Sequence, residues 1–183
     1  MASEHRFLKI VLTGPESSGK TTMAAALASA LGVHWAPEFA RHYLAHLGRP
    51  YTRADLKRIG AGQRSWERWY ATRPATGPGG HTFLIFDTDW TVLQIWEQYR
   101  FGAETDFEWQ KGYGAAEAAD LYLLCAPDFP WHPDPLREHP EERAVLFDLY
   151  ERLLSGMNAR FTVLRGDPVA RLEGALAAFR ELL

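Results

Sequence analysis

Cysteine, long apolar runs and an excess of positive charge are all scarce or missing in this sequence of 183 residues. Its one cysteine, Cys125, cannot form an internal disulfide; it lies in an apolar run where a buried thiol is expected, and this usage fits a reducing, cytoplasmic compartment. No stretch approaches the roughly 20 consecutive apolar residues of a membrane span. The first six residues lead directly into a strand-like run, so we expect no signal peptide. The net charge of -3 argues against a protein that binds nucleic acid through a basic surface.

Strand-like and helix-like segments alternate along the chain, which is 46% apolar and long enough to bury one core. Apolar runs suited to buried strands occur at residues 7–13, 33–36, 83–86, 121–126 and 160–164. Helical spacing of apolar residues occurs at residues 20–31, 39–47, 54–71, 90–99, 140–154 and 168–182. Residues 72–81 are rich in Pro and Gly and are predicted to be a loop. The alternation predicts an α/β fold, with a central, mostly parallel five-stranded sheet between helices in a single domain of residues 1–183.

The clearest motif is a phosphate-binding loop of the form G-x-x-x-x-G-K-[ST]. Gly14, Gly19, Lys20 and Thr21 match it completely, between a predicted strand and a predicted helix. Roughly two chance matches are expected per thousand chains of this composition. Glycines allow the backbone to curl around a triphosphate, and the following helix points its positive end at the same oxygens. We therefore predict that ATP is bound by Gly14, Glu16, Ser17, Ser18, Gly19, Lys20, Thr21 and Thr22.

Three residues have predicted tasks at the phosphates. Lys20 is predicted to span the β- and γ-phosphates, and Thr21 to hold Mg²⁺. Asp87 directly follows a buried strand, which is where proteins with such a loop keep the acid that holds Mg²⁺. Thr21 and Asp87 are therefore the predicted metal ligands.

Two further acids, Glu38 and Asp89, also follow predicted strands and should face the same edge of a parallel sheet. Either Glu38 or Asp87 is predicted to accept the proton of an acceptor hydroxyl. Asp89 is predicted to contact the acceptor, with capping of the next helix as the alternative. Glu38 also fits the first turn of a helix. Arg41, one turn further along, either binds phosphate or pairs with Glu38.

Residues 128–143 combine prolines, an aromatic residue and two arginines after the fourth strand, which predicts a mobile lid. Arg137 is predicted to close over the γ-phosphoryl group, where it would stabilise charge in the transition state. Arg143 is predicted to contact the nucleotide. For both arginines the alternative is a solvated segment with local ion pairs. Asp167 and Pro168, after the last strand, are predicted to border the adenine.

Seven tryptophans are many for a chain of this length, and several fall at the predicted edge of the site. Trp35, Trp90 and Trp131 are candidates for stacking on a substrate ring, together with Tyr43. The predicted acceptor-binding set is Glu38, Arg41, Tyr43, Asp89, Trp90, Trp35 and Trp131.

The ordered motifs resemble the ribosylnicotinamide kinase domain of the bacterial bifunctional NAD-biosynthesis protein. They are residues 14–21 (Gly-Pro-Glu-Ser-Ser-Gly-Lys-Thr), 37–41 (Pro-Glu-Phe-Ala-Arg), 86–89 (Phe-Asp-Thr-Asp) and 121–131, with Asp134 and the pair at 136–137. The resemblance implies a fold similar to nucleoside and thymidylate kinases, and phosphorylation of the 5′-hydroxyl of nicotinamide riboside by MgATP. The lid has Pro135 where the family pattern has Gly. The sequence also lacks an H-x-G-H nucleotidylyl-transfer motif, so we expect the kinase activity alone.

The chemistry of this acceptor is consistent with the residues present. Nicotinamide riboside carries a pyridinium cation, so its pocket should be acidic and aromatic. Two alternatives remain: a kinase for another nucleoside or nucleotide, such as a thymidine- or thymidylate-type kinase, and a nucleotide-binding regulatory module with no acceptor. We expect small-molecule partners and neither nucleic acid nor membrane. The sequence leaves the oligomeric state open, including a homo-oligomer.

Overall fold

The computed structural model describes residues 7–73, 75–102, 118–133 and 141–183. The strands within these ranges are β1 (Leu8–Thr13), β2 (Trp35–Ala36), β3 (Ala75–Thr76), β4 (Thr82–Asp87), β5 (Leu121–Cys125) and β6 (Phe161–Leu164). The helices are α1 (Lys20–Leu31), α2 (Phe39–Ala45), α3 (Arg53–Ala71), α4 (Trp90–Phe101), α5 (Arg143–Gly156) and α6 (Pro168–Leu182). None of the helices in this part of the chain is long and apolar enough to cross a membrane.

The sheet has the strand order β2-β4-β1-β5-β6, and all neighbours along this path are parallel. The prediction of a mostly parallel sheet between helices is therefore confirmed. The prediction that residues 72–81 are wholly loop is wrong, because β3 pairs antiparallel with β4 as a sixth strand. A 3₁₀ turn at Pro78–Gly80 reverses the chain, and the Gly77 amide donates to the His81 carbonyl at 3.0 Å. This turn brings two residues without any apolar periodicity alongside β4.

The core lies on both faces of the central strands, as their continuous apolar runs require. On one face, Ile10 and Leu12 of β1 pack against Leu27 of α1 and Phe179 of α6. On the other face, Val11 packs with apolar residues of α4 and α5. Cys125 is fully buried at the end of β5, as predicted. The helices therefore enclose the sheet and leave the carboxyl ends of its strands for the loops.

Asp55 fastens α2 to α3. Its fully buried carboxylate accepts a hydrogen bond from the Thr52 amide, which is half of the capping box of α3, and another from the Thr52 hydroxyl. It also accepts two bonds from Arg49, at 2.7 and 3.0 Å, and one from the Tyr43 hydroxyl on α2 at 2.8 Å. These bonds, led by those from Arg49, hold the pKa of Asp55 well below its usual value. This ionised carboxylate therefore ties α2, which follows Glu38 directly, to the start of α3.

We expect the substitution Asp55→Asn to lower the Tm by about 5–10 °C at neutral pH. Ionised Asp55 contributes stability that is complete above the unfolded-state pKa of about 4 and is lost as the pH falls towards the lower pKa of the folded state. The variant should therefore lose less stability than the natural protein on acidification. Thermal unfolding followed by circular dichroism from about pH 3 to about pH 8 tests this, with Asp148→Asn on the exposed face of α5 as the control. If the Tm of all three proteins fell equally on acidification, the low pKa assigned to Asp55 would be contradicted.

Candidate phosphate site and acceptor cleft

The loop at residues 14–19 joins β1 to α1, and its two glycines are required by geometry. Gly14 has a φ of 133°, and a Cβ atom there would lie 2.6 Å from the Cys125 carbonyl oxygen. Gly19 adopts the left-handed conformation, with a φ of 84°, as the N-cap of α1. These positions let the chain turn tightly against β5 and enter the helix. The loop amides and the N-terminus of α1 then form an anion site of the kind that phosphate groups occupy.

Lys20 and Ser18 stabilise this loop from inside. The Lys20 ammonium donates to the carbonyls of Gly14 and Pro15 at 3.0 and 2.8 Å. The buried Ser18 hydroxyl donates to the same Pro15 carbonyl at 2.8 Å. A phosphate oxygen is a stronger partner for an ammonium than a neutral carbonyl. Lys20 is therefore positioned beside the place where phosphate would bind.

Thr21 and Asp87 are hydrogen-bonded to each other across two elements of the fold. The Thr21 hydroxyl donates to Asp87 Oδ2 at 2.5 Å, because parallel pairing of β1 and β4 sets Asp87 beside Leu12, just before the loop. Asp87 is 1% exposed, and its Oδ1 has no hydrogen-bond partner among the described residues. Burial raises the pKa of Asp87. A buried oxygen without a donor is costly to the fold, and a carboxylate beside a hydroxyl suits a hard cation such as Mg²⁺.

Glu38 faces the same region from the other side. It is half-buried between β2 and α2, and this burial raises its pKa from 4.5 to about 7. The Lys20 charge opposes the shift, and the Asp87 charge adds to it. The Glu38 side chain makes no hydrogen bond to the start of α2, although Glu38 is its N-cap residue. Its carboxyl group is therefore available to the cleft and does not cap the helix.

One cleft, which we call the acceptor cleft, extends from the loop to Glu38. It is lined by Gly14, Glu16, Ser17, Ser18, Gly19, Lys20, Thr21, Thr22, Glu38, Arg41, Leu44, Val92, Trp96 and Tyr150. All the loop residues predicted to bind ATP are in this set, together with Glu38 and Arg41 from the predicted acceptor site. Burial holds the pKa of Tyr150 well above its usual value, so its hydroxyl stays protonated. The cleft thus has a phosphate-binding side and a side with an acid and aromatic rings.

A second cleft lies on the other flank of the loop. Its lining is Ser17, Gly19, Thr22, Met23, Phe129, Pro130, His132, Pro168 and Arg171. The structure thus places Pro168 beside the loop, whereas the Asp167 carboxylate caps α6 by accepting from the amides of Val169 and Ala170. Arg143 donates to the Phe129 carbonyl at 2.8 Å, and its guanidinium lies 5.8 Å from the Trp131 ring centre. Arg137 lies outside the described residues, as does the middle of the predicted lid, residues 134–140.

Five predicted acceptor residues do not line the acceptor cleft: Trp131, which lies beside Arg143, and four more that lie elsewhere in the structure. The Asp89 carboxylate is buried and accepts from the Thr91 amide, the Thr91 hydroxyl and the Tyr122 hydroxyl, so it caps α4 and matches the alternative considered for it. Tyr43 donates its hydroxyl to Asp55. Trp90 packs in the core between α2, α3 and α4. Trp35 lines an outer groove with Trp69 and Tyr70. None of these side chains is among the described residues that line the acceptor cleft.

Sequence reasoning missed Trp96, Val92, Tyr150 and Arg171. Val92 and Trp96 are one turn apart on α4, so the helical period after Asp89 carried a signal for them. Tyr150 lies on α5, and the sequence carried no signal that would place it at the cleft. Arg171 is 1% exposed and donates to the carbonyls of Ser18 and Ala126, each at 2.7 Å, with its guanidinium 4.3 Å from the Phe129 ring centre. It therefore joins the phosphate loop to the segment after β5, a role that only the tertiary structure shows.

Fold and loop together define the class of this protein as a P-loop α/β domain. A family model described as an AAA domain, AAA_28, matches residues 9–171, and the chain belongs to this family. None of the curated proteins gives a significant match to the sequence.

Solved structures of P-loop kinases share the fold. The NadR protein in complex with NR matches with a TM-score of 0.76 and 22% identity, over 96% of this chain and 51% of that chain. Deoxyadenosine kinase from M. mycoides matches with a TM-score of 0.65 and 15% identity, over 95% and 100% of the two chains. Thymidylate kinase from Ehrlichia chaffeensis matches with a TM-score of 0.62 and 14% identity, over 96% and 98%. The chain spans about half the length of the NadR chains it matches.

We expect Asp87→Asn to separate metal binding from folding. Without metal, the Tm of the variant should equal or exceed that of the natural protein, because a buried carboxylate is replaced by a neutral group of the same shape. The further rise in Tm when Mg²⁺ is added to an ATP analogue should fall by at least about half. Thermal shifts with analogue alone and with analogue plus Mg²⁺ measure this, with Asp148→Asn as control. If Mg²⁺ raised the Tm of the variant as much as that of the natural protein, Asp87 would not be a metal ligand.

Glu38 should make the stability of the metal-free protein depend on pH. Because its folded-state pKa of about 7 exceeds the unfolded-state value, the contribution of protonated Glu38 is complete below about pH 4.5 and is lost as the pH rises through about 7. The difference in Tm between Glu38→Gln and the natural protein should therefore move in favour of the variant by about 3–8 °C between pH 5 and pH 8. Differential scanning calorimetry in the presence of a chelator tests this. Glu151→Gln on α5 is the exposed control, and a Glu38→Gln profile that runs parallel to the natural one would contradict the pKa assignment.

Proposed function

We propose that this chain is a kinase that transfers the γ-phosphoryl group of ATP, with Mg²⁺, to the 5′-hydroxyl of nicotinamide riboside, giving nicotinamide mononucleotide. One observation carries the proposal: Lys20 and Thr21 share a single cleft with Glu38 and Trp96. The first two residues suit a triphosphate and its metal. Glu38 and Trp96 offer an acid and an aromatic face to a molecule bound next to the triphosphate.

The acceptor side of the cleft suits a cationic ring. The pyridinium of nicotinamide riboside is attracted by a carboxylate and by the face of an aromatic ring, and a cation–π contact contributes about 0.5–2 kcal/mol. Glu38, Trp96 and Tyr150 provide such groups, together with the apolar Val92. The structural likeness to NadR in complex with NR, over 96% of this chain, supports the same acceptor.

The roles of the residues in the transfer follow from their places around the cleft. Thr21 and Asp87 would hold Mg²⁺, which neutralises charge on the phosphates. Lys20 leaves its loop carbonyls to bind phosphate oxygens. The 5′-oxygen of the acceptor forms a bond to the γ-phosphorus as the bond to the leaving ADP oxygen breaks. Glu38 accepts the hydroxyl proton, for which a pKa of about 7 is well matched at neutral pH, with Asp87 as the other candidate.

The remaining residues would contact the adenine of ATP and the phosphoryl group. The second cleft, between Phe129 and Pro168, would receive the adenine, because it adjoins the phosphate loop and presents an aromatic ring. Arg41 lies beside Glu38 on the acceptor side, where it would bind a transferred phosphoryl group. Arg137 would approach from the lid and stabilise the γ-phosphoryl group in transit.

The experiment is a parallel assay of ADP release with a panel of acceptors. We expect kcat/KM for nicotinamide riboside to exceed that for uridine, thymidine and deoxyadenosine at least about tenfold, which corresponds to about 1.4 kcal/mol of transition-state binding. The neutral reduced riboside is the shape-matched control and should lose most of this advantage. Lys20→Ala is the control for the assay itself and should reduce transfer by about two orders of magnitude or more.

Each other outcome gives a different function. Faster transfer to deoxyadenosine or thymidine would indicate a kinase for that nucleoside; deoxyadenosine kinase is among the structures that share this fold. ADP release that no acceptor accelerates would favour a nucleotide-binding regulatory module.

A further inference from the structure

Gln63 on α3 bridges the two chain segments that carry the acids of the proposed site. It is 3% exposed, and its Oε1 accepts the Phe39 amide at 3.1 Å. Its Nε2 is directed at the Thr88 carbonyl, at the longer distance of 3.4 Å. Phe39 directly follows Glu38, and Thr88 directly follows Asp87. One buried amide therefore contacts the backbone immediately after each acid.

The first contact satisfies the backbone at the start of α2, directly after Glu38. The first amides of a helix have no partner within the helix, and the side chain of the N-cap residue usually accepts from one of them. Glu38 is the N-cap of α2, yet its carboxyl group forms no such bond. Such a cap would serve the second or third helical amide, and Gln63 satisfies the first one, that of Phe39, from a neighbouring helix. This arrangement leaves the Glu38 carboxyl group for the cleft.

The second contact lies at a strained residue. Thr88 has a φ of 71°, a conformation that β-branched residues rarely adopt. Such strain persists only where the surrounding structure holds it, and it concentrates at functional sites. The Thr88 amide donates to the Leu12 carbonyl at 2.9 Å, and its carbonyl faces Gln63. The strained turn directs Asp87 towards Thr21 while Asp89 caps α4.

The orientation of the Gln63 amide is fixed by a buried ion pair. Gln63 Nε2 also lies 3.4 Å from Glu67 Oε1. Glu67 Oε2 accepts from the Lys9 ammonium at 2.7 Å, and both side chains are about nine-tenths buried. The Glu67 carboxylate can only accept a hydrogen bond, so it requires the NH₂ group of Gln63, and the Phe39 amide requires the Gln63 oxygen. The glutamine therefore has one satisfactory orientation.

We infer that Gln63 is a positioning residue, which sets the placement of Glu38 relative to Asp87 without touching nucleotide or acceptor. This inference rests on the proposed kinase function. A displacement of about 1 Å at reacting groups can cost about a hundredfold in rate. Loss of the bridge should thus reduce the rate of transfer much more than it weakens binding of either substrate.

The test is Gln63→Leu, which keeps the approximate volume and removes both contacts. We expect kcat for phosphoryl transfer to fall about 10- to 100-fold, with nucleotide Kd and acceptor KM within about threefold of the natural values. The matched control is Gln94→Leu. Gln94 is also a buried glutamine, at 2% exposure, and neither of its amide atoms has a hydrogen-bond partner among the described residues. The control should keep its kcat within about twofold.

A second variant keeps the inference testable if Gln63→Leu does not fold. Gln63→Glu keeps an acceptor for the Phe39 amide and replaces the donor with a carboxylate facing Glu67 and the Thr88 carbonyl, so the same selective loss of kcat is expected. A folded variant of either kind with kcat within twofold of the natural value would overturn the inference, as would equal losses in kcat, KM and Kd. If the natural protein itself transfers phosphoryl to no acceptor, the proposed function fails, and that result is separate from either outcome.

Discussion

The contact between Gly14 and β5 is the constraint on which the rest of the site depends. The loop leaves β1, the central strand of the sheet, and passes so close to the Cys125 carbonyl that no side chain fits. β4 lies on the other side of β1, and its register sets Asp87 beside the start of the loop. The phosphate loop and Asp87 therefore meet because of the order of three strands, and not because of any direct link in sequence. Ligands bind at such a place in open parallel sheets, outside the carboxyl ends of the strands.

Local sequence signals predicted the features that repeat or that follow a strand. The five parallel strands follow from apolar runs, the phosphate loop from its motif, and the closeness of Thr21 and Asp87 from the edge at which the strands end. The two-residue strand β3 has no periodicity to detect, because the turn after it creates the pairing. Trp35 and Trp90 were expected at the site because both lie near strand ends. Trp90, at the start of α4, instead fills the core between helices, and Trp35 on β2 lines an outer groove. Tyr150 enters the cleft from a distant helix, so only tertiary packing identifies it.

The cleft holds the positive charge of Lys20 and the carboxyl group of Glu38. The protonation of Glu38 therefore responds to what binds on either side. Burial raises the pKa of Glu38, while the Lys20 charge restrains that rise. A bound triphosphate would engage Lys20 and add negative charge, which favours protonated Glu38, whereas a cation on the acceptor side favours the carboxylate. The protonation of this group is therefore coupled to the occupancy of both sides. In the transferase proposed above, such coupling would ionise Glu38 when a cationic acceptor is in place.

The burial of Cys125 beneath the loop also affects how the protein can be studied. Its thiol is fully buried, and burial raises its pKa to about 12, so almost none of it is thiolate at neutral pH. Maleimide and other thiol reagents act on the accessible thiolate. A cysteine introduced at an exposed position such as Val145, beside Arg143 at the start of α5, would then be labelled selectively without removal of the native one. Pairs of fluorophores or spin labels placed in this way would report distances in a protein with an unaltered phosphate loop.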